Sequence, residues 1–344
     1  MKRRFLLYLI PALVLGACTS KRLSVQVLRP AEVTIPRTIK KVGVVDRSFL
    51  AGGAAYMVEN SYRTNRFRDI PRIGGQKTVE GFIVEFRAFK RFNTVPVQTS
   101  EKKDTSWTTV PKLTDAAMKA WAADDGLDAL VSLESYRVEI TTDGNVYTSL
   151  FYDTAGKPYA VPRFQGRRGI KVVTFWRIYN LQNLTVINER TMETQLNFSS
   201  NGYSPDETYR NLPEKLGNVE NSSQVAGMKY AQSLLPYWQN TERLIYLGQT
   251  NAWLEAADSA EVGNWESAAE QWQKLEKKSP FPVIRRQAVF NLFTAYEVLG
   301  NFDEAEYWAK LGQRKFKNRD FDAAVLFLDK RRIENSQLDE QLNE

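Results

Sequence analysis

The residues best placed to do chemistry stand at the start of the chain. Lys2, Arg3 and Arg4 precede an apolar run from Phe5 to Val14, and Leu15-Gly16-Ala17 lead into Cys18. A basic flank stays on the cytoplasmic side of a membrane, and a short apolar stretch enters an export channel. Small residues before a cysteine then give a peptidase and a lipid transferase access to its thiol. Residues 1–17 are expected to leave as a lipoprotein signal peptide, and Cys18 to become the first residue, carrying a diacylglyceryl group and an acyl chain. The run from Phe5 to Ala17 holds about thirteen residues and contains Pro11, whereas a spanning helix needs ~20. No cofactor beyond this covalent lipid is expected.

Other chemistry is narrowed by what the chain lacks. Histidine is absent, which removes Ser-His-Asp and Cys-His arrangements, histidine-ligated zinc and histidine general bases. Cys18 is the only cysteine, so no disulfide forms within one chain and a thiol catalyst would have to use the lipidated residue. Carboxylates remain. Asp46 follows Val42-Gly43-Val44-Val45, and Asp124, Asp125 and Asp128 surround a helix stop at Gly126; such groups supply the acid and base of a hydrolase. No catalytic motif joins them, and Asp124-Asp125-Gly126 also reads as an ordinary polar helix end. No catalytic residue and no metal site is assigned.

The elements that must position these groups fall into two parts. Ser24 to Leu28 and Lys40 to Asp46 read as strands. Thr78 to Lys90 reads as an amphipathic helix with Val79, Phe82, Ile83, Phe86 and Phe89 on one face, and Leu113 to Asp125 as a second with Met118, Trp121 and Ala122 inward. Leu127 to Leu133 returns as a buried strand. Two hairpins follow: Glu134–Thr141 with Val146–Tyr152 about an Asp143-Gly144 turn, and Val172–Tyr179 with Leu184–Thr191 about Asn180–Asn183. The aromatic- and arginine-bearing stretch Asp153–Gly169 is expected to be a loop between them. A helix over about Val219–Leu235, with Val225, Met228 and Ala231 inward, ends at Pro236. The fold class is therefore α/β (α+β), a sandwich-like N-terminal domain with an antiparallel hairpin extension, followed by an all-α helical repeat domain. The boundaries expected are 18–38 for the lipidated tether and first strand, 39–248 for the α/β domain, 249–334 for the repeats with a capping helix, and 335–344 for a polar tail.

The repeat signal is an offset of 37 residues between Gly263-Asn264-Trp265-Glu266-Ser267-Ala268 and Gly300-Asn301-Phe302-Asp303-Glu304-Ala305. Each phrase puts Gly-Asn between two helices, an aromatic at the start of the second, and alanine where helices cross closely. These phrases resemble tetratricopeptide repeats over about residues 249–316, with Asp320 to Arg332 as a cap. The resemblance implies a groove that holds segments of other proteins, with Arg285, Arg286 and Asn291 receiving a partner's carboxylate. Residues 18–248 carry 31 Lys+Arg against 23 Asp+Glu, and residues 249–344 carry 13 against 17. That asymmetry fits a basic face near a lipid anchor or an ordinary solvated surface.

The lipidation signal, Leu28-Arg29-Pro30-Ala31, Val42-Gly43-Val44-Val45-Asp46, Trp176-Arg177-Ile178-Tyr179, Pro236-Tyr237-Trp238 and the terminal repeats together resemble a family of Bacteroidota lipoproteins. The alternation of strands and helices up to Leu133 is more distantly similar, at the level of fold, to the periplasmic domains of curli-secretion lipoproteins and penicillin-binding-protein activators. By the sorting rules of bacterial lipoproteins, Thr19-Ser20-Lys21-Arg22 after the cysteine carries neither the aspartate of inner-membrane retention nor an acidic surface-export stretch. The expected place is therefore the outer membrane facing the periplasm, and the family resemblance adds nothing to this. It implies no activity. The expected function is a non-enzymatic adaptor that binds protein partners in envelope assembly, secretion or cell-wall synthesis and touches the lipid bilayer through its anchor, with no nucleic acid. The alternatives are an oligomeric subunit of an export assembly and a carboxylate-based envelope hydrolase. The sequence leaves the oligomeric state open.

Overall fold

Alternating apolar residues in short β-branched runs build a central sheet with both faces covered, and helices supply the cover. The structure, a computed structural model, describes residues 20–60, 62–64 and 69–342. Cys18 and the expected signal segment lie outside them. The described residues divide into two compact units, one within residues 30–237 with 338–342 and one of residues 20–29 with 238–337.

In the first unit the strands are β2 (Lys41–Asp46), β3 (Ala55–Glu59), β4 (Tyr62–Thr64), β5 (Asn93–Pro96), β6 (Ala129–Tyr152), β7 (Pro158–Asn180) and β8 (Thr185–Gly202), and the helices are α1 (Asp69–Ala88), α2 (Asp115–Asp125), α3 (Pro205–Arg210) and α4 (Lys215–Ser233). β2 runs parallel to β5 and β6, β3 runs parallel to β6 further along, and β7 pairs antiparallel along the whole length of β6 and then with β8. A strand has two edges and β7 occupies one, so β2 and β3 share the other. Alternate side chains go to opposite faces: Val42, Val44, Val131, Leu133, Trp176 and Ile178 pack with Phe82, Phe86 and Tyr230 of α1 and α4, whereas Val45, Leu130 and Tyr179 pack with Met118 of α2.

Two helices on one face must also fit each other. α1 and α4 touch through glycine: a Cβ on Gly227 would lie 1.8 Å from the Thr78 carbonyl oxygen, and one on Gly81 2.1 Å from that of Gln224. The buried face of α4 is accordingly Val219, Ser222, Ser223, Ala226, Gly227, Tyr230 and Ala231. Val225 and Met228, expected inward, are only half-buried, because small residues rather than large ones make the closest contact.

The hairpin expected at Asp143-Gly144 is not a turn. β6 runs straight through it, with Asp143 opposite Arg167 and Gly144 opposite Gly166. These glycines admit α3, since a Cβ on Gly144 would sit 2.6 Å from Tyr209 Oη and one on Gly166 2.9 Å from Thr208 Cγ2. The chain turns instead at Asp153–Lys157, where Asp153 Oδ1 accepts from the backbone N–H of Ala155 and Lys157 and Gly156 takes φ +77°. Most of the expected loop Asp153–Gly169 is therefore strand. Beyond the reach of β3 and β8, β6 and β7 form a two-stranded ribbon on which Val146, Leu150, Tyr152 and Tyr159 are 58%, 65%, 67% and 51% exposed. The second hairpin does turn after Asn180.

In the second unit β1 (Ser20–Arg29) pairs with β9 (Tyr237–Tyr246), and α5 (Asn251–Glu261), α6 (Trp265–Lys278), α7 (Pro282–Val298), α8 (Phe302–Phe316) and α9 (Arg319–Leu342) follow. Leu23, Val25 and Val27 alternate into a core with Ile245, Trp253, Trp272, Leu292, Trp308 and Phe321. The stretch expected as a tether thus belongs to the helical unit, and β9 lies before the expected boundary at 248. Both Gly-Asn phrases act as read: Gly263 and Gly300 adopt φ +86° and +74°, a conformation that favours glycine, and Asn264 and Asn301 accept from the N–H groups of Ser267 and Glu304, capping the helices that follow. The polar tail continues α9 as far as Leu342. Gln341 is buried and its amide bonds both peptide groups of Ala31.

Candidate functional site

Open parallel sheets gather functional groups at the carboxyl ends of their strands, where connections leave for opposite faces. Here α1 leads to β5 on one face and α2 leads back across to β6 on the other, so the end of β2 is such a place. Asp46 closes β2 beside a cleft of about 550 Å³ floored by Val44, Val79, Ile83 and Val97 and edged by Gln76 and Glu80. Its Oδ1 accepts from the Ser48 N–H at 2.9 Å and Ser48 Oγ at 2.6 Å. Its Oδ2 is buried without a partner and faces α1 at Gly75, where a Cβ would come within 2.6 Å. Burial pushes the Asp46 carboxyl up to about 6, with the two bonds from Ser48 acting against it. Glu80 is exposed and bonded to Lys77.

Behind Asp46 lies a buried ion cluster. Arg47 Nη1 donates to both oxygens of Glu134 at 2.8 Å, and its Nε and Nη2 reach Glu101 at 2.6 and 3.1 Å. Tyr179 Oη donates to Glu134 at 3.0 Å. Arg47 and Glu134 are 0% and 1% exposed. A register shift between Leu133 and Ser135 aims Glu134 at its partner. Burial raises Glu134 while Arg47 and Arg177 pull it down, and burial with the nearby Glu134 pushes Tyr179 up to about 12. With its donors committed, the cluster pins the loop after β5, including the Pro111 carbonyl, to the ends of β2 and β6. Sequence reading missed it, although an arginine and a glutamate ending two neighbouring apolar strands were the available signal.

The other expected carboxylates do not join Asp46. Asp124 and Asp125 line a separate polar hollow of about 330 Å³ with Gln98, Ser100 and Glu101. Asp128 accepts from the backbone N–H of Lys40 and Lys41 at 2.8 Å and from Gln182 at 3.0 Å. Partial burial opposes ionisation, but these donors hold its carboxylate below the usual range. Among the described residues no group of three His, Cys, Asp or Glu could hold a metal ion, and no helix is long and apolar enough to cross a membrane.

Two of the three expected carboxylate receivers of the repeats, Asn291 and Arg285, are already engaged. Asn291 is fully buried; its Oδ1 accepts from Tyr246 N–H at 2.7 Å and its Nδ2 donates to Tyr246 O at 2.8 Å, tying β9 to α7. Arg285 donates to the backbone carbonyl of Glu276 at 3.1 Å and to its carboxylate at 2.9 Å. Arg286 is half-buried on the same helix. An asparagine at a helix–strand contact satisfies an edge peptide group, so its place in the fold accounts for it.

A further open hollow is apolar. About 610 Å³ lies over Ala88 and Phe89 at the end of α1, Met192 of β8 and Leu235-Pro236 after α4, with Glu85 and Lys229 on its rim. Proline after α4 stops the helix and leaves its last turn and the end of α1 as two sides of a trough.

This chain belongs to the family described as Domain of unknown function (DUF8603), whose model matches residues 39–246, and a second model, Domain of unknown function (DUF6340), matches residues 254–340. No curated protein matches it. Among solved structures it is similar to PelC dodecamers from Paraburkholderia phytofirmans in two crystal forms, at 14% and 13% identity, 62% of this chain and 98% of that chain, and a TM-score of 0.24. It is also similar to a protein described as a neuraminyllactose-binding hemagglutinin homolog from Helicobacter pylori, at 9% identity, 58% and 91% coverage and a TM-score of 0.23. Superpositions this loose carry no argument about the present chain.

Proposed function

We propose that this protein is a lipoprotein of the outer membrane, anchored through Cys18 and facing the periplasm, that acts as a non-enzymatic adaptor for other envelope proteins. The observation that carries the reading is the apolar trough over Phe89, Met192 and Leu235. An adaptor needs an open groove with apolar anchors and a charged rim, the arrangement that takes the apolar face of a partner helix or strand. The resemblance of the terminal helix pairs to tetratricopeptide repeats supports a protein-binding role, and the lipidation signal at Cys18 supports the location.

A carboxylate hydrolase is the second reading, favoured by Asp46 and Glu80 on one cleft. It is the weaker of the two. Asp46 Oδ1 is held by Ser48 and Oδ2 is closed off, so neither oxygen is free to move a proton to or from a substrate. The test is crosslinking in living cells followed by purification of the intact lipidated protein, with Cys18→Ala as the control for membrane attachment. Recovery of specific envelope proteins that Phe89→Glu releases supports the adaptor. Recovery of the same proteins from the Phe89→Glu chain, or of none, overturns it.

A further inference from the structure

The ribbon formed by the outer halves of β6 and β7 is unusual in what it leaves uncovered. Opposite residues of an antiparallel pair share a face, so the register puts Val146, Thr148, Leu150 and Tyr152 on one face with Phe164, Pro162, Ala160 and Pro158. These eight residues carry no charge and all except Phe164 are exposed; inward of them the same face seats α3 at Gly144 and Gly166, so the uncovered part is the ribbon's outer end. The other face holds Tyr147, Ser149 and Phe151 with Arg163, Val161 and Tyr159. Arg163 lies over the Tyr203 ring at 3.8 Å, and Lys157 stands in the turn.

The ribbon's β7 edge is closed to strand addition. Asp153 N–H donates to Lys157 O, which makes that pair hydrogen-bonded; since bonded and non-bonded pairs alternate, residues 158, 160 and 162 direct their peptide groups outward. Two of these three are prolines and have no N–H, a common means of blocking an exposed edge. A continuous ring of ribbons, which needs both edges, is thereby disfavoured. Face-to-face pairing of two copies is poorly supported as well. The face offers seven exposed residues, against about 20–30 a side in a stable interface.

A lipid surface needs neither an edge nor so large an area. We propose that the ribbon lays its outer end in the interface of an anionic bilayer, with Val146, Leu150 and Tyr152 toward the acyl chains and Lys157, Arg163 and the tyrosines of the other face at headgroup level. An element with one uncharged apolar face and a basic, tyrosine-bearing opposite face partitions in this way, and arginine reaches phosphate from its long stem. Over residues 143–168 Lys157, Arg163, Arg167 and Arg168 outnumber Asp143 and Asp153, so anionic headgroups add to the attraction. The open β6 edge stays hydrated at that depth.

The test uses the full chain with Cys18→Ser, which removes the only native thiol. An environment-sensitive dye is placed on Leu150→Cys, or as a control on Val262→Cys, which is 81% exposed in the other unit. Vesicles containing phosphatidylglycerol should blue-shift and brighten the dye at 150 but not at 262, and brominated lipid should quench it. Vesicles of phosphatidylcholine alone should bind several-fold more weakly. Adding Val146→Asp to the labelled chain should weaken binding about tenfold with unchanged melting, since the side chain is exposed. No shift at 150, equal shifts at both positions, or a shift that grows with protein concentration and needs no lipid overturns the proposal; the last outcome assigns the ribbon to a second copy.

Discussion

Replacing Asp46 with asparagine should remove a loss of stability that the wild type undergoes as pH rises to neutral, by an amount set by the position of that one carboxyl. Its ionisation lies near 3.8 in the unfolded chain and near 6 in the folded one, because burial disfavours the charge more than Ser48 restores it. Between those values the folded state holds a proton that the unfolded state has released. Stability contributed by Asp46 is therefore fully present below about pH 4 and is lost as pH rises through about 6. A shift of about two units is worth up to ~3 kcal/mol. Asparagine keeps an acceptor for Ser48 and presents no charge, so the Asp46→Asn advantage over wild type should grow by up to ~3 kcal/mol from pH 4 to pH 7. Urea unfolding of both chains across that range measures it. A difference independent of pH would refute the reasoning, and one that shrinks toward neutral pH would reverse its sign.

Four further substitutions probe the packing. Gly227→Ala drives a methyl into the Thr78 carbonyl and should cost about 3 kcal/mol or more as overpacking, whereas Gly217→Ala, with nothing within 4 Å, should stabilise by up to ~1 kcal/mol; thermal unfolding separates them. Arg47→Met leaves Glu134 buried without its bidentate partner and should cost about 3–5 kcal/mol, read by denaturant unfolding. Asn291→Ala strands both peptide groups of Tyr246 and should cost about 2–4 kcal/mol; a change in partner binding with no loss of stability would instead restore the receiving role that the repeat resemblance implied.

Large apolar residues at helical or strand spacing were readable: Phe82 and Phe86, the Val42–Val45 strand, and the Gly-Asn caps at 263–264 and 300–301 all stand where their patterns put them. Small residues were not. Ser222, Ser223 and Gly227 form the contact face of α4 because two helices approach closely there, and no hydrophobic period marks such a face. Gly144 carries the signature of a turn, yet the need to seat Tyr209 places it inside a strand. Asp46 was legible as a strand-end carboxylate. The ion cluster behind it was not, since Arg47, Glu101 and Glu134 are distant in sequence and meet only when β2, β6 and the loop after β5 assemble. β1 and β9, more than two hundred residues apart, pair for the same reason, that alternation shows a strand but not its partner.

The most direct test of the adaptor account is site-specific photocrosslinking in living cells from Ala88 and Tyr237, at the trough, and from Val262, exposed elsewhere. The account predicts adducts to the same one or few envelope proteins from both trough positions and none from Val262, with loss of the adducts on Phe89→Glu. Adducts of equal kind from all three positions, or none from the trough in cells that hold the lipidated protein, would contradict it.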